Sequence, residues 1–407
     1  MKNKVGSKTF AILIYMLLFI LTLVGIQQIW SSELFDTIHF LNWDADHYNF
    51  IKEKGYKDFR LAFFPLFPII WRFLDVGVYA IILINSLIFF TSFYLLIKNL
   101  EIKGVKEILM YLSIPSFIFF YLPYSESIFF LCSLIIILGL KNNKNYLVYI
   151  GLFLSILSRP AFTVFIPALI ITQLLNRNKE KISLTIGFYL LVSILGVISV
   201  GIIQFYDSGE WFKFFSEQKN WGNHLQIPKL PLTSWAGGFI VRTDGFAFLI
   251  GILSGSFLSA FILKLKWVKD TVLPKEVIFS LAYLGGITIA VLLFRGGSLF
   301  SLNRFVFATP FIIVVLNYWI RQQFNLKIKK LLLIFGLIFI FWFLFGSYVH
   351  IQQILKFGLL SVYATLIFAL KSDKETIRKH SLILLIIINF SFQIIFYIRF
   401  LNGDWVG

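Results

Sequence analysis

Thirteen apolar stretches separated by short linkers run the length of this 407-residue chain. They cover 9–30, 76–97, 107–123, 126–140, 146–158, 160–175, 182–205, 245–263, 277–294, 304–320, 331–349, 353–370 and 381–398. A bilayer core takes about 20 apolar residues per helix, and a helix satisfies its own backbone N–H and C=O groups where water is absent. The pattern therefore predicts an all-α polytopic membrane protein with about 13 transmembrane helices, built as a single membrane domain over 1–407. The stretches 146–158 and 160–175 are short and meet at Arg159-Pro160, where proline interrupts a helix; they are expected to be two tilted crossings. Only 14% of the residues are charged, against roughly 25% in soluble domains, which excludes an ordinary soluble protein.

The net charge of +17 could signify nucleic acid, anionic lipid or membrane topology, and its distribution decides. With the N-terminus cytoplasmic, seven inner segments hold 23 of the 37 Lys and Arg but only 7 of the 20 Asp and Glu. That is the positive-inside bias. Were 146–175 a single broken helix, every later linker would change sides and the bias would collapse. The excess is a topology signal. Nucleic-acid binding is excluded, because the basic residues are scattered over separate linkers with no folded domain to present them. Lys2, Lys4 and Lys8 precede a first stretch too long for a signal peptide and without a small-residue cleavage site, so an uncleaved helix is expected, and Asp404-Trp405-Val406-Gly407 falls outside. The single cysteine, Cys132, lies in an apolar run and excludes a disulfide framework or Cys-based metal site.

Two long outer segments, 31–75 and 206–244, are rich in Trp, Tyr, Asp and Lys, and are the candidate working surfaces. The first reads Asn42-Trp43-Asp44-Ala45-Asp46-His47-Tyr48, then Gly55-Tyr56, then Phe63-Phe64-Pro65-Leu66-Phe67-Pro68. A carboxylate at a helix end among rings that thin out water can act as a general base. Asp44 is the first choice, with Trp43, Asp46, His47 and Tyr48 as its substrate-binding neighbours. The plain alternative for an Asp-x-Asp is a solvated or capping pair.

These residues, followed by Pro123-Tyr124-Ser125-Glu126-Ser127, Ser158-Arg159 and Ser301-Leu302-Asn303-Arg304-Phe305, resemble in order the motifs of the PIG-V family. Its members add the second mannose to glycosylphosphatidylinositol anchors and have bacterial and archaeal relatives. Asn42 stands where an Arg or His usually precedes the Trp. The resemblance implies a GT-C glycosyltransferase fold, a polyprenyl- or dolichyl-phosphate sugar donor, mannose as the sugar, Asp44 as the base, and an active site on the outer or periplasmic face of the plasma (inner) membrane. The acceptor is left open among lipid, glycan and protein.

A lipid-phosphate donor needs a cation for its departing phosphate, and the arginine fork suits phosphate oxygens. Arg304 is the preferred ligand, assisted by free N–H groups at its helix start; Arg295 and Arg159 are second choices, or else snorkel to headgroups. Glu126 either caps a helix or contacts the acceptor sugar. In 206–244, Trp211, Lys219, Trp221, His224 and Trp235 can serve a sugar site or an interfacial aromatic belt; Trp405 and His350 face the same choice. No certain cofactor is implied, since the five His are scattered singly and Asp44 with Asp46 could hold at most a weak hydrated Mg or Mn. The expected reaction is an inverting sugar transfer. The rivals are a transporter or flippase for lipid-linked sugars, which would place charges at mid-membrane in repeated halves, and a non-catalytic binding subunit. No internal repeat is visible.

Overall fold

The structure is a computed structural model that describes residues 2–30, 33–160, 162–175, 182–234, 240–265, 273–346 and 350–407. The side chains of 2–5, 29, 30, 240–242 and 265 lie outside the description, as do Trp235 and the basic residues Arg177, Lys179, Lys181, Lys266 and Lys269.

The chain begins with α1 (Lys2–Trp30), then a segment carrying α2 (Asp44–Lys54) and α3 (Leu66–Leu74). It continues through α4 (Val78–Asn99), α5 (Val105–Leu112), a 3-10 helix Pro115–Tyr121, α6 (Glu126–Lys141), α7 (Asn145–Ser158), α8 (Phe162–Leu174) and α9 (Ile182–Ser208). A second segment carries α10 (Lys213–Asn220), and the remainder is α11 (Ile240–Leu265), α12 (Lys275–Phe294), α13 (Leu302–Phe307), α14 (Pro310–Arg321), α15 (Ile328–Phe341), α16 (Ile351–Ala369) and α17 (Glu375–Leu401). Both long segments expected as loops are thus partly helical.

Among the described residues, eight helices are long and apolar enough to cross a membrane, or nine if Pro115–Tyr121 and Glu126–Lys141, bent by 106°, form one span. The regular structure among the described residues is all helical, and the chain is a multi-pass membrane protein. The other five predicted stretches appear as short or interrupted helices, and prolines explain where they break. Pro115 heads the 3-10 helix after α5; Pro310 opens α14 behind an extended Thr309; Pro160 separates α7 from α8. In each case the ring removes a donor and forces the preceding residue out of the helical region.

Backbone groups freed by such breaks need partners where water is scarce, and buried amides supply them. Gln393 donates to the carbonyls of Leu112 and Ile114, both at 3.1 Å. Asn85 donates to Leu122 and Tyr124, at 2.8 and 3.0 Å, and Gln204 to Leu61 and Phe63, at 2.9 and 3.0 Å. Elsewhere small residues allow close packing: a Cβ on Gly285 of α12 would lie 2.9 Å from the Gly255 Cα of α11, and one on Gly251 only 1.8 Å from Thr288 Oγ1.

The linkers gather at two ends. At the basic end, Lys8 reaches the Ile97 carbonyl (3.3 Å), Arg321 that of Glu101 (2.8 Å), and Lys275 the Asn143 side chain (2.7 Å). At the other end, Tyr79 reaches the Phe35 carbonyl (2.7 Å), Gln218 that of Ala62 (3.1 Å), and the Leu232 N–H that of Leu344 (2.6 Å). Each of these links joins segments that the charge pattern assigned to one side. Helices α7 and α8 both pack on α9: Gln173, near the end of α8, bonds Tyr189 of α9 at 2.7 Å, and Tyr189 also packs on Tyr149 near the start of α7.

Candidate active site

The motif segment is anchored before its chemistry begins. Asn42 donates its amide to the carbonyls of His39 (2.9 Å) and Phe400 (2.8 Å), and the His39 ring bonds the Leu401 carbonyl at 3.0 Å. The end of α17 leaves carbonyls without intrahelical partners, which gives an uncharged amide at position 42 a physical role. Trp43 then adopts φ +59°, ψ −125°, a conformation that a large side chain holds only when its surroundings impose it. Its indole donates to the Gly403 carbonyl at 3.0 Å, and its ring meets Trp405 edge-on at 5.3 Å. Asp44 follows as the first residue of α2, where a negative charge complements the helix dipole.

Asp44 does not stand alone. Its Oδ2 accepts an N–H from Arg304 at 2.9 Å. Arg304 gives two more N–H groups, from Nε and Nη2, to Glu126 Oε1 at 2.9 and 2.6 Å. Arg159 donates to the same oxygen at 3.0 Å. Glu126, Arg304 and Arg159 are buried, and Asp44 keeps 20% of its side chain exposed. Two carboxylates and two guanidinium groups thus meet in a low-dielectric setting where each charge depends on its partners. The Arg304 guanidinium is further framed by the rings of Phe119, Tyr124 and Trp405, 4.8–5.3 Å away, a favourable cation–π setting. Glu126 Oε2 is buried without a hydrogen-bond partner. Tyr48 donates to Ser125 Oγ at 3.0 Å, and burial raises the Tyr48 and Tyr124 hydroxyls above their ordinary range. Both stay protonated.

The α13 turn departs from expectation. Its first N–H groups are not open to a ligand: Leu302 N–H bonds the Leu299 carbonyl, Arg304 N–H that of Ser301, and Asn303 N–H bonds Asp244 Oδ1 at 2.9 Å. Asp244 escaped sequence reasoning because it sits one residue before the apolar run 245–263; an ionisable residue at the border of a span was the available signal. Arg295 is near the cluster but differently held. Its Nε donates to Asn223 Oδ1 at 2.9 Å, Nη1 donates to the Phe300 carbonyl, and the guanidinium lies 3.6 Å from the Phe300 ring centre. Arg159 and Arg295 also flank the Phe305 ring, at 5.0 and 5.7 Å.

Beside Asp44, one turn along α2, the His47 ring packs against Phe63 (4.9 Å), Phe59 (5.4 Å) and Trp221 (5.9 Å). This brings the two long segments together, and burial lowers the His47 imidazole below its usual value. Lys219, on α10, is exposed and outside the hydrogen-bonded cluster. Trp211 stacks on Phe205 at 4.4 Å, His224 is tied through its backbone to the Phe294 carbonyl, and His350 is exposed at the head of α16. A Mg or Mn ion at Asp44 and Asp46 does not fit. Two positions apart on α2, their side chains point about 200° apart around the helix, and Asp44 Oδ2 is engaged with Arg304. No group of three potential ligands converges among the described residues.

Behind the cluster lies an apolar cavity of about 450 Å³, lined by α5, α11, α14, α16 and α17. Ser116 and Thr243 are among its polar lining residues, with Lys356, Tyr363 and Asn389, and Ser116 and Thr243 both bond the Asn303 side chain at 3.3 Å, one residue before Arg304. Lys356 and Leu370, both on the cavity wall, are separated along the helical direction of α16 by about 21 Å at 1.5 Å per residue. Comparison with protein families, curated proteins and solved structures finds no match to this chain.

Proposed function

We propose that this chain is a membrane glycosyltransferase of the GT-C type, related to the PIG-V enzymes. It transfers a sugar, mannose by resemblance, from a polyprenyl-phosphate donor to an acceptor hydroxyl on the extracytoplasmic side of the plasma membrane. The observation that carries this is the Asp44–Arg304–Glu126 cluster, a carboxylate in direct contact with an arginine whose fork suits a phosphate, beside an apolar cavity. The thirteen-crossing topology, N-terminus inside, belongs to the same proposal and is supported by the links at the two ends of the bundle. The cavity suits a lipid chain, and the polar groups at its edge suit the phosphate and sugar.

In this reading Arg304 changes partners. Without donor its Nη1 is held by Asp44; an arriving phosphate, with more negative charge and oxygens matched to the arginine fork, takes that N–H and releases Asp44. Asp44 then removes the proton of the acceptor hydroxyl. The acceptor oxygen bonds to the anomeric carbon as the bond from that carbon to the phosphate oxygen breaks, and the phosphate leaves with the electron pair, stabilised by Arg304. One displacement inverts the anomeric centre. Trp43, His47 and Trp221 line the acceptor side, the buried Tyr48 backs it through its hydrogen bond to Ser125, Arg159 and Arg295 support the phosphate side, and Glu126 holds Arg304 between them.

The test is incubation of the purified protein with radiolabelled polyprenyl-phosphate sugars and a membrane extract. Transfer by the wild-type chain and its loss in Asp44→Asn are expected. Wild-type transfer by Asp44→Asn would refute the assignment, and label that crosses vesicles without being transferred would establish a carrier instead.

A further inference from the structure

We infer that Asp244 is a positioning residue for Arg304, acting through the backbone of α13; the inference rests on the transferase reading above. Asp244 is wholly buried near the start of α11, and its Oδ1 accepts the N–H of Asn303 at 2.9 Å. Asn303 is joined directly to Arg304, so the acceptor fixes the peptide that precedes the arginine. The neighbouring Thr243 holds the same residue from its side chain, with Asn303 Nδ2 donating to Thr243 Oγ1 at 3.3 Å.

The turn needs such an anchor. α13 has only six residues, too few to be stable through its own hydrogen bonds. It is preceded by Ser301 at φ +64°, a left-handed conformation that a non-glycine residue keeps only when its surroundings hold it. Within α13, Arg304 must present three N–H groups to two carboxylates carried by other helices. A rotation of the turn would break those contacts together. Asp244 is itself fixed, because α11 is pressed against α12 at Gly251, where a Cβ would lie 1.8 Å from Thr288 Oγ1, and at Gly285 of α12, where one would lie 2.9 Å from the Gly255 Cα. Rigid packing is thereby carried into the site by one hydrogen bond. The role requires an acceptor oxygen at position 244 and no charge.

The experiment compares wild-type, Asp244→Ala and Asp244→Asn full-length proteins in proteoliposomes. It reads transfer kinetics and, separately, labelling of Arg304 by phenylglyoxal followed by mass spectrometry. Asp244→Ala is expected to lower kcat about a hundredfold, as small misplacements of catalytic groups do, to raise the donor KM, because Arg304 also meets the donor phosphate, and to make Arg304 labelled where the wild type is protected. Asp244→Asn keeps the acceptor and is expected to match the wild type in both readings. Wild-type kcat with a protected Arg304 in Asp244→Ala overturns the inference, and so does an Asp244→Asn protein as impaired as the alanine variant. If Asp244→Ala does not fold, Asp244→Asn decides alone, since any loss of kcat there refutes the role. Absence of transfer by the wild type would refute the transferase reading itself, and the labelling contrast would still decide for or against Asp244.

Discussion

Arg304 donates two N–H groups to one oxygen of Glu126, at 2.9 and 2.6 Å, although 178 positions separate them in the chain. The same oxygen receives Arg159 at 3.0 Å. Glu126 is therefore the shared anchor of two buried cations, and the consequences of altering it follow from that.

Replacing Glu126 with Ala leaves two buried guanidinium groups short of a counter-charge. Removing one partner of a buried pair costs about 3–5 kcal/mol, so a lowered thermal midpoint is expected in detergent-solubilised protein. A double-mutant cycle with Arg304→Ala should give a coupling of about 0.5–3 kcal/mol. Additive effects would show that the pair is not an energetic unit.

Arg304→Lys retains the charge but not the fork that serves two carboxylates. Loss of a donor aimed at a leaving group typically costs about 10²–10³ in kcat. The transfer assay should show a fall of that order while the fold, followed by circular dichroism, persists. A lysine enzyme with unaltered kcat would dismiss the bidentate role.

His47 provides a pH signature. Its pKa in the folded chain lies below the ordinary 6.5 because of burial among Phe59, Phe63 and Trp221. Between the two values the unfolded chain binds more protons, so stability rises with pH there. The contribution is present above 6.5 and is lost as pH falls towards the lowered folded value. Thermal midpoints measured through that window should show less pH dependence in His47→Phe than in the wild type.

At the α11–α12 crossing, a methyl group on Gly285 would come within 2.9 Å of the Gly255 Cα. Backbone cannot yield as a side chain can. Overpacking of this kind costs about 1–3 kcal/mol, and a reduced thermal midpoint in Gly285→Ala is expected, whereas Gly336→Ala, inside α15 with open space around its position, should not lower it.

The cavity can be tested by filling it. Leu360 lies on its wall, and Leu360→Trp should raise the donor KM and leave transfer at saturating donor near the wild-type rate. An unchanged KM would place the lipid chain elsewhere.

Sequence by itself determined that the chain is helical and crosses a membrane many times, because apolar run length and linker charge are local quantities that the bilayer reads directly. It also marked Asp44, Glu126, Arg159 and Arg304 as residues to watch, and Pro160 marked one helix break, whereas the breaks at Pro115 and Pro310 fall inside stretches that the sequence reads as continuous. The pairing of these four residues was decided by tertiary structure alone. Whether Arg304 faces a phosphate, Asp44 or Glu126 depends on how α2, α6 and α13 meet, and no periodicity records that. The same holds for Asp244, whose importance comes from one hydrogen bond to Asn303 across 59 positions, and for Trp405, which shields Arg304 only because the chain beyond α17 turns back over the site. Local composition fixes which segments leave water; side-chain packing between distant segments fixes which charges meet.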